Sequence, residues 1–247
     1  MNKPPITELI QSHRSTRAFK NIEIPSDIVK EIIVSAQWAP TSHNVQAYSI
    51  ISITNQELRG DLANFCGNQK YVKEAPVFFV FVADFYPHSL VSQWEETPFE
   101  MEETENLIVG AVDTALAAQN ALLTARAYEL GGVMIGGIRN RAQEVAALLN
   151  LPKWTFPVMG LCLGYPQDVT EQKPRFPFYG VHHEDCYNRE NIISALNEYD
   201  KDMLHYYSTR QVNPKYTGWI TQMTNYLSSP RRQELTMFLK NQGFLMK

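Results

Sequence analysis

The apolar positions of the chain change period several times, and each change marks an element. Over residues 26–36, Ile28, Ile32, Ile33 and Ala36 recur at helical spacing, behind a Pro25-Ser26-Asp27 start and ahead of a Trp38-Ala39-Pro40 stop. A polar loop over residues 41–46 leads into residues 48–53, which are β-branched, partly alternating and read as a strand. Residues 56–65 read as a helix. Residues 77–83 (VFFVFVA) are a continuous apolar run too short for a typical helix, and predict a strand buried on both faces.

The strongest helix is predicted over residues 102–130, where Leu107, Ile108, Ala111, Val112, Ala115, Leu116, Ala118, Leu122 and Leu123 leave few polar gaps. Gly131-Gly132 reads as its C-terminal stop. A helix apolar on most faces is normally buried, so it forms either the spine of a domain or half of a subunit interface. A strand at residues 133–135, a helix at 141–149 and a strand at 158–163 complete an alternation that predicts an α+β or α/β layer protein around a central sheet. From Gln167 the texture turns to Pro, aromatic and polar residues, with a further helix predicted near residues 192–207.

Composition narrows this picture. With 44% hydrophobic and 19% charged residues, 247 residues make an ordinary globular chain able to bury a sizeable core. A formal charge of -4 argues against a general nucleic-acid or anionic-membrane surface, so any anion site is local. The three cysteines, Cys66, Cys162 and Cys186, are widely separated and contain no C-x-x-C pair; neither a disulfide framework nor a zinc ribbon is expected, and a reducing, cytoplasmic setting is. No apolar run approaches the ~18 residues of a membrane span.

Against that background five polar clusters stand out. Residues 13–17 (His13, Arg14, Ser15, Thr16, Arg17) pack three potential cations and hydroxyl donors into five positions, as an anion site requires, although a solvated basic turn has the same composition. The loop carrying Thr41, Ser42 and His43 is crowded with hydroxyl and amide donors, and reads equally as a ligand loop or a polar turn. Gly67-Asn68-Gln69-Lys70 and Lys173-Pro174-Arg175 read by default as a turn and a solvated loop. Two glycine pairs, Gly131-Gly132 and Gly136-Gly137, bracket a short strand; neither G-x-G-x-x-G nor a P-loop occurs, so those nucleotide folds lose support. His182-His183-x-x-Cys186 lacks a fourth ligand at a characteristic spacing, and no metal site is expected.

Taken together and in order, these pieces resemble the FMN-dependent nitroreductase family, in its group of NADPH-dependent nitro and flavin reductases. The matching features are H-R-S-x-R near the N-terminus, the Thr/Ser loop, G-x-Q-K, the Ala-rich helix ending in L-G-G, I-G-G-I-R-N, G-L-C-L-G, K-P-R and Tyr206-Tyr207-x-Thr209-Arg210. The resemblance implies a homodimer of α+β subunits, each with a central mixed sheet flanked by helices, and FMN at the subunit interface. Residues 1–247 form one domain in this reading, with 200–247 a C-terminal extension and mobile lid. His13, Arg14, Ser15 and Arg175 are assigned to the FMN phosphate, and Arg17 and Lys173 to the ring edge that gains charge on reduction. Thr41, Ser42, His43, Gln69, Lys70 and Tyr71 are assigned to the ribityl and pyrimidine parts, and Met134, Ile135, Gly136 and Gly137 to the ring. Arg210 and Lys215 are the expected NADPH contacts; Tyr216 replaces a second Arg often found there, and Met134 stands where relatives often carry Tyr. The implied activity is ping-pong hydride transfer from NADPH through FMN to nitroaromatic, quinone or flavin acceptors, with no protein nucleophile. The competing readings are a flavin-binding or flavin-supplying protein, or another FMN reaction such as dehalogenation or metal-ion reduction.

Overall fold

A computed structural model describes residues 3–210 and 213–245 of the chain; residues 1–2, 211–212 and 246–247 lie outside it. The elements in order are α1 (Pro5–Gln11), α2 (Ser26–Gln37), β1 (Tyr48–Ser52), α3 (Gln56–Phe65), α4 (Lys70–Glu74), β2 (Val77–Asp84), α5 (Tyr86–Trp94), α6 (Thr104–Ala127), β3 (Gly131–Ile135), α7 (Ala142–Leu148), β4 (Thr155–Gly164), α8 (Arg189–Thr209), α9 (Trp219–Leu227) and α10 (Leu235–Asn241). Two compact units result. One comprises the chain through Val169 together with the segment from Arg232 onward, and the other is Thr170–Arg231. The stretch expected as an extension, residues 200–247, is thus shared between the two.

The first unit is built on a sheet of order β1-β2-β4-β3. Its named strands pair antiparallel throughout. The mixed sheet expected from the family therefore contributes only one parallel element among the described residues, the isolated bridge between Ser15 and Gly132. An apolar run buried on both faces suits either direction, which is why the pattern of β2 does not encode it.

Strand β2 sorts its side chains by the two-residue period of a strand. Phe79 and Phe81 join Leu161 and Leu163 in the core shared with α2 and α6, while Phe78, Val80 and Val82 join Val133 and Ile135 in the core shared with Leu62, Ile138 and Val145. Helix α6 gives this first core its small residues, Ala117, Ala118, Ala121 and Ala125, which let helix and sheet approach closely. By length and composition α6 is able to cross a bilayer; its packing on α2 and the sheet is that of a core helix. It ends at Ala127, before the expected glycine stop, because Glu129 takes the left-handed turn (φ 60) and Gly131-Gly132 open β3 instead.

A third core closes the unit from the far end of the sequence. Phe244 packs edge-on against Phe85 and Phe156, and Phe238 and Leu239 of α10 join the same cluster. The second unit has its own small core of Tyr199, Met203 and Tyr207 of α8, with Phe176 and Trp219 against it. Asn188 caps α8 by accepting from the backbone N–H groups of Glu190 and Asn191.

Candidate functional site

Edge strand β3 is the meeting place of three of the expected clusters. The basic run lies alongside it: Ser15 bridges Gly132, and the Thr16 N–H donates to the Gly132 carbonyl at 3.0 Å. A side chain at Gly131 would run into the buried Thr16 hydroxyl, so this glycine is required by the approach of the run. The chain then continues past the end of β4, where Lys20 N–H donates to Tyr165 O and Gln167 N–H to Ala18 O.

At the other end of β3 the Gly67-Asn68-Gln69 turn comes against Gly137. Gly67 (φ 86) and Asn68 (φ 57) are both left-handed, and a Cβ on Gly137 would lie 2.6 Å from the Cys66 carbonyl oxygen. The second glycine pair is therefore split in role. Gly137 admits a neighbouring backbone, whereas Gly136 looks toward the guanidinium groups of Arg139 and Arg232.

Charge and unmet hydrogen bonding concentrate in the same residues. Arg14 is half-buried with its Nε shielded from solvent and without a hydrogen-bond partner among the described residues, and Gln69 Oε1 is in the same condition. Buried polar atoms are seldom left so, unless a ligand or water completes them. Arg126, in the last turn of α6, donates to Ser12 Oγ at 2.9 Å. Its guanidinium is held below its ordinary pKa by burial and, secondarily, by the charge of Arg14, yet stays cationic. Two guanidinium groups in mutual repulsion beside Ser12 and Ser15 form a donor set suited to a phosphate dianion. FMN, which ends in such a group, fits it.

The remaining expected residues sort as follows. His13 is half-buried and Arg17 exposed. Lys70 points to solvent and pairs with Glu74 at 2.8 Å on α4. Tyr71 and Ile135 pack into the second core, and Met134 against the first. Thr41, Ser42 and His43 sit on a loop held elsewhere along α6, where the buried Asp113 accepts from Ser42 N and Ala47 N at 3.1 and 3.2 Å. Asp113 and Arg126 are thirteen residues apart on one helix, so loop and basic run are anchored about 20 Å from each other along its axis.

In the second unit, Lys173, Arg210 and Lys215 gather around one aromatic ring. Their charged groups lie 5.5, 4.9 and 6.0 Å from the centroid of Tyr207, and none forms an ion pair with a carboxylate among the described residues. Arg175 lies beside Lys173, donating to its carbonyl oxygen at 2.9 Å. Sequence reading missed Asp113, Arg126 and Arg232. A single carboxylate inside an apolar helix was a usable signal for Asp113; a basic residue in a last helical turn reads as an ordinary partner of the helix dipole. Arg232, which donates to Gly136 O (3.0 Å) and Asn140 Oδ1 (3.1 Å), carried no signal at all.

The first unit is thus an antiparallel α+β unit with the basic run at one end of β3 and the Gly67-Asn68-Gln69 turn at the other, each holding one buried polar atom without a hydrogen-bond partner among the described residues. The chain belongs to the nitroreductase family: the model of that family matches residues 10–165, and that of its C-terminal domain residues 173–247. Among relatives, the chain is 37% identical to a Cr(VI) reductase of Pseudomonas sp. (strain G-1), covering 98% of this chain and 100% of the relative. It is 36% identical to an FMN reductase (NADPH) of Bacillus subtilis (strain 168), covering 96% and 97%. The solved structure of NfrA1 from B. megaterium superposes with a TM-score of 0.94 at 39% identity, covering 98% of this chain and all of that one.

Proposed function

We propose that the protein is an FMN-dependent NAD(P)H oxidoreductase that takes hydride from NADPH and passes it to nitroaromatic, quinone or flavin acceptors in a ping-pong sequence. The observation that carries this reading is Arg14 Nε, buried without a hydrogen-bond partner among the described residues and under the field of the Arg126 cation; Gln69 Oε1 is left in the same condition at the other end of β3. Support comes also from relatives named for FMN and NADPH. Bound FMN supplies the redox chemistry, accepting hydride from one substrate and delivering it to the next.

The work of the chain is to bind, orient and stabilise charge. His13, Arg14 and Ser15, joined by Arg126, take the phosphate; Arg175 keeps the phosphate assignment implied by the family, and Lys173 the ring assignment. Arg17 meets the ring edge on which negative charge accumulates, where a fixed cation acts as a preorganised donor. Gln69 offers its amide to the pyrimidine, and Met134 and Gly136 face the ring; Ile135, expected there too, is buried in the second core, and Gly137 is packed on the Cys66 backbone. Arg210 and Lys215, drawn together over Tyr207, take the NADPH 2′-phosphate; of the expected lid, only residues 200–231 are free to act as one, because Phe238, Leu239 and Phe244 are buried in the core of the first unit.

The active form in this reading is a homodimer in the cytoplasm. Ile108, Val112 and Leu116 recur every fourth residue on α6 and are 51, 49 and 37% exposed, an apolar stripe on a helix whose opposite face is core. Ile6 and Ile10 of α1, which packs on α6, are exposed as well. All three cysteines are free, which suits a reducing compartment.

The test is direct. Purified protein should carry, or take up on reconstitution, a yellow chromophore that NADPH bleaches in the absence of acceptor; a protein colourless after incubation with FMN refutes the reading. A second reading, reduction of a metal oxyanion, is favoured by the relative named Cr(VI) reductase. Steady-state rates with chromate, quinone, nitrofuran and free FMN rank the acceptors.

A further inference from the structure

We propose that Asp113 is the positioning residue that clamps residues 41–47 into their strained shape and thereby presents Ser42 and His43 to the flavin; the second half of this statement rests on the FMN reading. Asp113 is 1% exposed in an otherwise apolar stretch of α6 and forms no ion pair among the described residues. A carboxylate in such a place is costly unless its oxygens are satisfied. They are satisfied by the loop: Oδ1 accepts from Ser42 N and Oδ2 from Ala47 N, so one side chain grips both ends of a six-residue segment.

Between those two grips the backbone is unusual. His43 (φ 46), Asn44 (φ 58) and Gln46 (φ 53) are all left-handed and none is glycine, so each carries a steric cost that something outside the segment must offset. Two further contacts help: Gln46 N–H donates to Thr41 Oγ1 at 3.3 Å, and His88 Nε2 lies 2.8 Å from Val45 O. Asp113 is the carboxylate of the set and grips both ends of the segment, and charge-assisted hydrogen bonds to backbone N–H are the strong ones. An apolar residue would suit the helix better. The carboxylate is therefore explained by the loop, and the loop carries three of the expected flavin contacts, Thr41, Ser42 and His43.

Asp113→Asn keeps the shape of the side chain but sets an amide NH2 against one of the two loop N–H groups. In the apoprotein, hydrogen exchange across residues 41–48 should accelerate, and the FMN dissociation constant, read from quenching of flavin fluorescence, should rise roughly tenfold. Adding Asn44→Gly and Gln46→Gly to Asp113→Asn should recover several-fold of that loss, because glycine adopts positive φ without the cost that the carboxylate offsets. A merely structural role predicts otherwise: Ala117→Gly, a core change on the same helix, would weaken FMN equally at equal loss of Tm, and the glycines would rescue nothing. That pattern overturns the proposal, as does a loop that stays protected in Asp113→Asn. If Asp113→Asn does not fold, exchange of the wild-type Ser42 amide at the rate of a free loop overturns it. A wild-type protein that takes no FMN refutes the flavin reading and with it the second half alone, leaving loop exchange to decide the clamp.

Discussion

Burial and, secondarily, the charge of Arg14 raise the cost of a cationic Arg126, and a bound anion would relieve it. Arg126→Leu should therefore weaken FMN while leaving riboflavin, which has no phosphate, unaffected; equal loss for both ligands, measured by fluorescence titration, would deny Arg126 a phosphate role. Arg17→Ala should slow flavin reduction or loosen the flavin, and unchanged stopped-flow bleaching by NADPH would exclude it from the ring edge. The thiols give a pH prediction. Burial pushes Cys66 from 9.0 up to about 12 and Cys162 higher still. Because the folded values are raised, the neutral thiols favour the native state fully below pH 9, and that advantage is lost as pH climbs from 9 toward 12. Urea midpoints should fall across that range, less so in Cys66→Ala. A thiol reagent should find one native cysteine, Cys186, and all three after denaturation. At this scale the basic run was legible because five adjacent residues shared a chemistry. Arg126 was not, since its partner stands 112 positions earlier and only folding brings the two together.

Among the elements, those with a long apolar period could be read from the chain. The bounds of α3 and most of β2, α6 and β4 follow from spacing alone, because burial of a whole face leaves a strong pattern. Helices α4 and α10 are short, α5 begins with a proline in its first turn, and α9 carries β-branched residues behind a glycine, so none announces itself. Strand direction was likewise illegible. The stripe on α6 makes a prediction of its own: Val112→Asp should shift the mass measured by light scattering from dimer to monomer, and an unchanged dimer would place the interface elsewhere. The turn after β3 makes another. Gly137→Ala sets a methyl group against the Cys66 carbonyl and should cost on the order of 1–3 kcal/mol, seen as a lower Tm and poorer FMN retention.

For the molecule as a whole, both residues proposed to meet the NADPH 2′-phosphate, Arg210 and Lys215, lie in the second unit. Arg210→Ala should raise KM for NADPH more than for NADH, and equal effects would refute a 2′-phosphate contact. The change of texture near Gln167 falls close to the start of this unit at Thr170, although the sequence reads as one domain over 1–247 with an extension from 200. The return of the chain after Arg232 was hidden, because Phe238 and Phe244 look in sequence like any apolar tail. That return makes the first unit discontinuous: its third core is completed by aromatic residues that reach it only after sixty-two others (170–231) have been spent on the second unit. A peptide bond cut within 170–231 thus severs the chain without severing the first unit. After such a nick the protein should migrate as two bands in detergent yet elute as a single particle under native conditions, its two pieces held as firmly as Phe244 is held by Phe85 and Phe156.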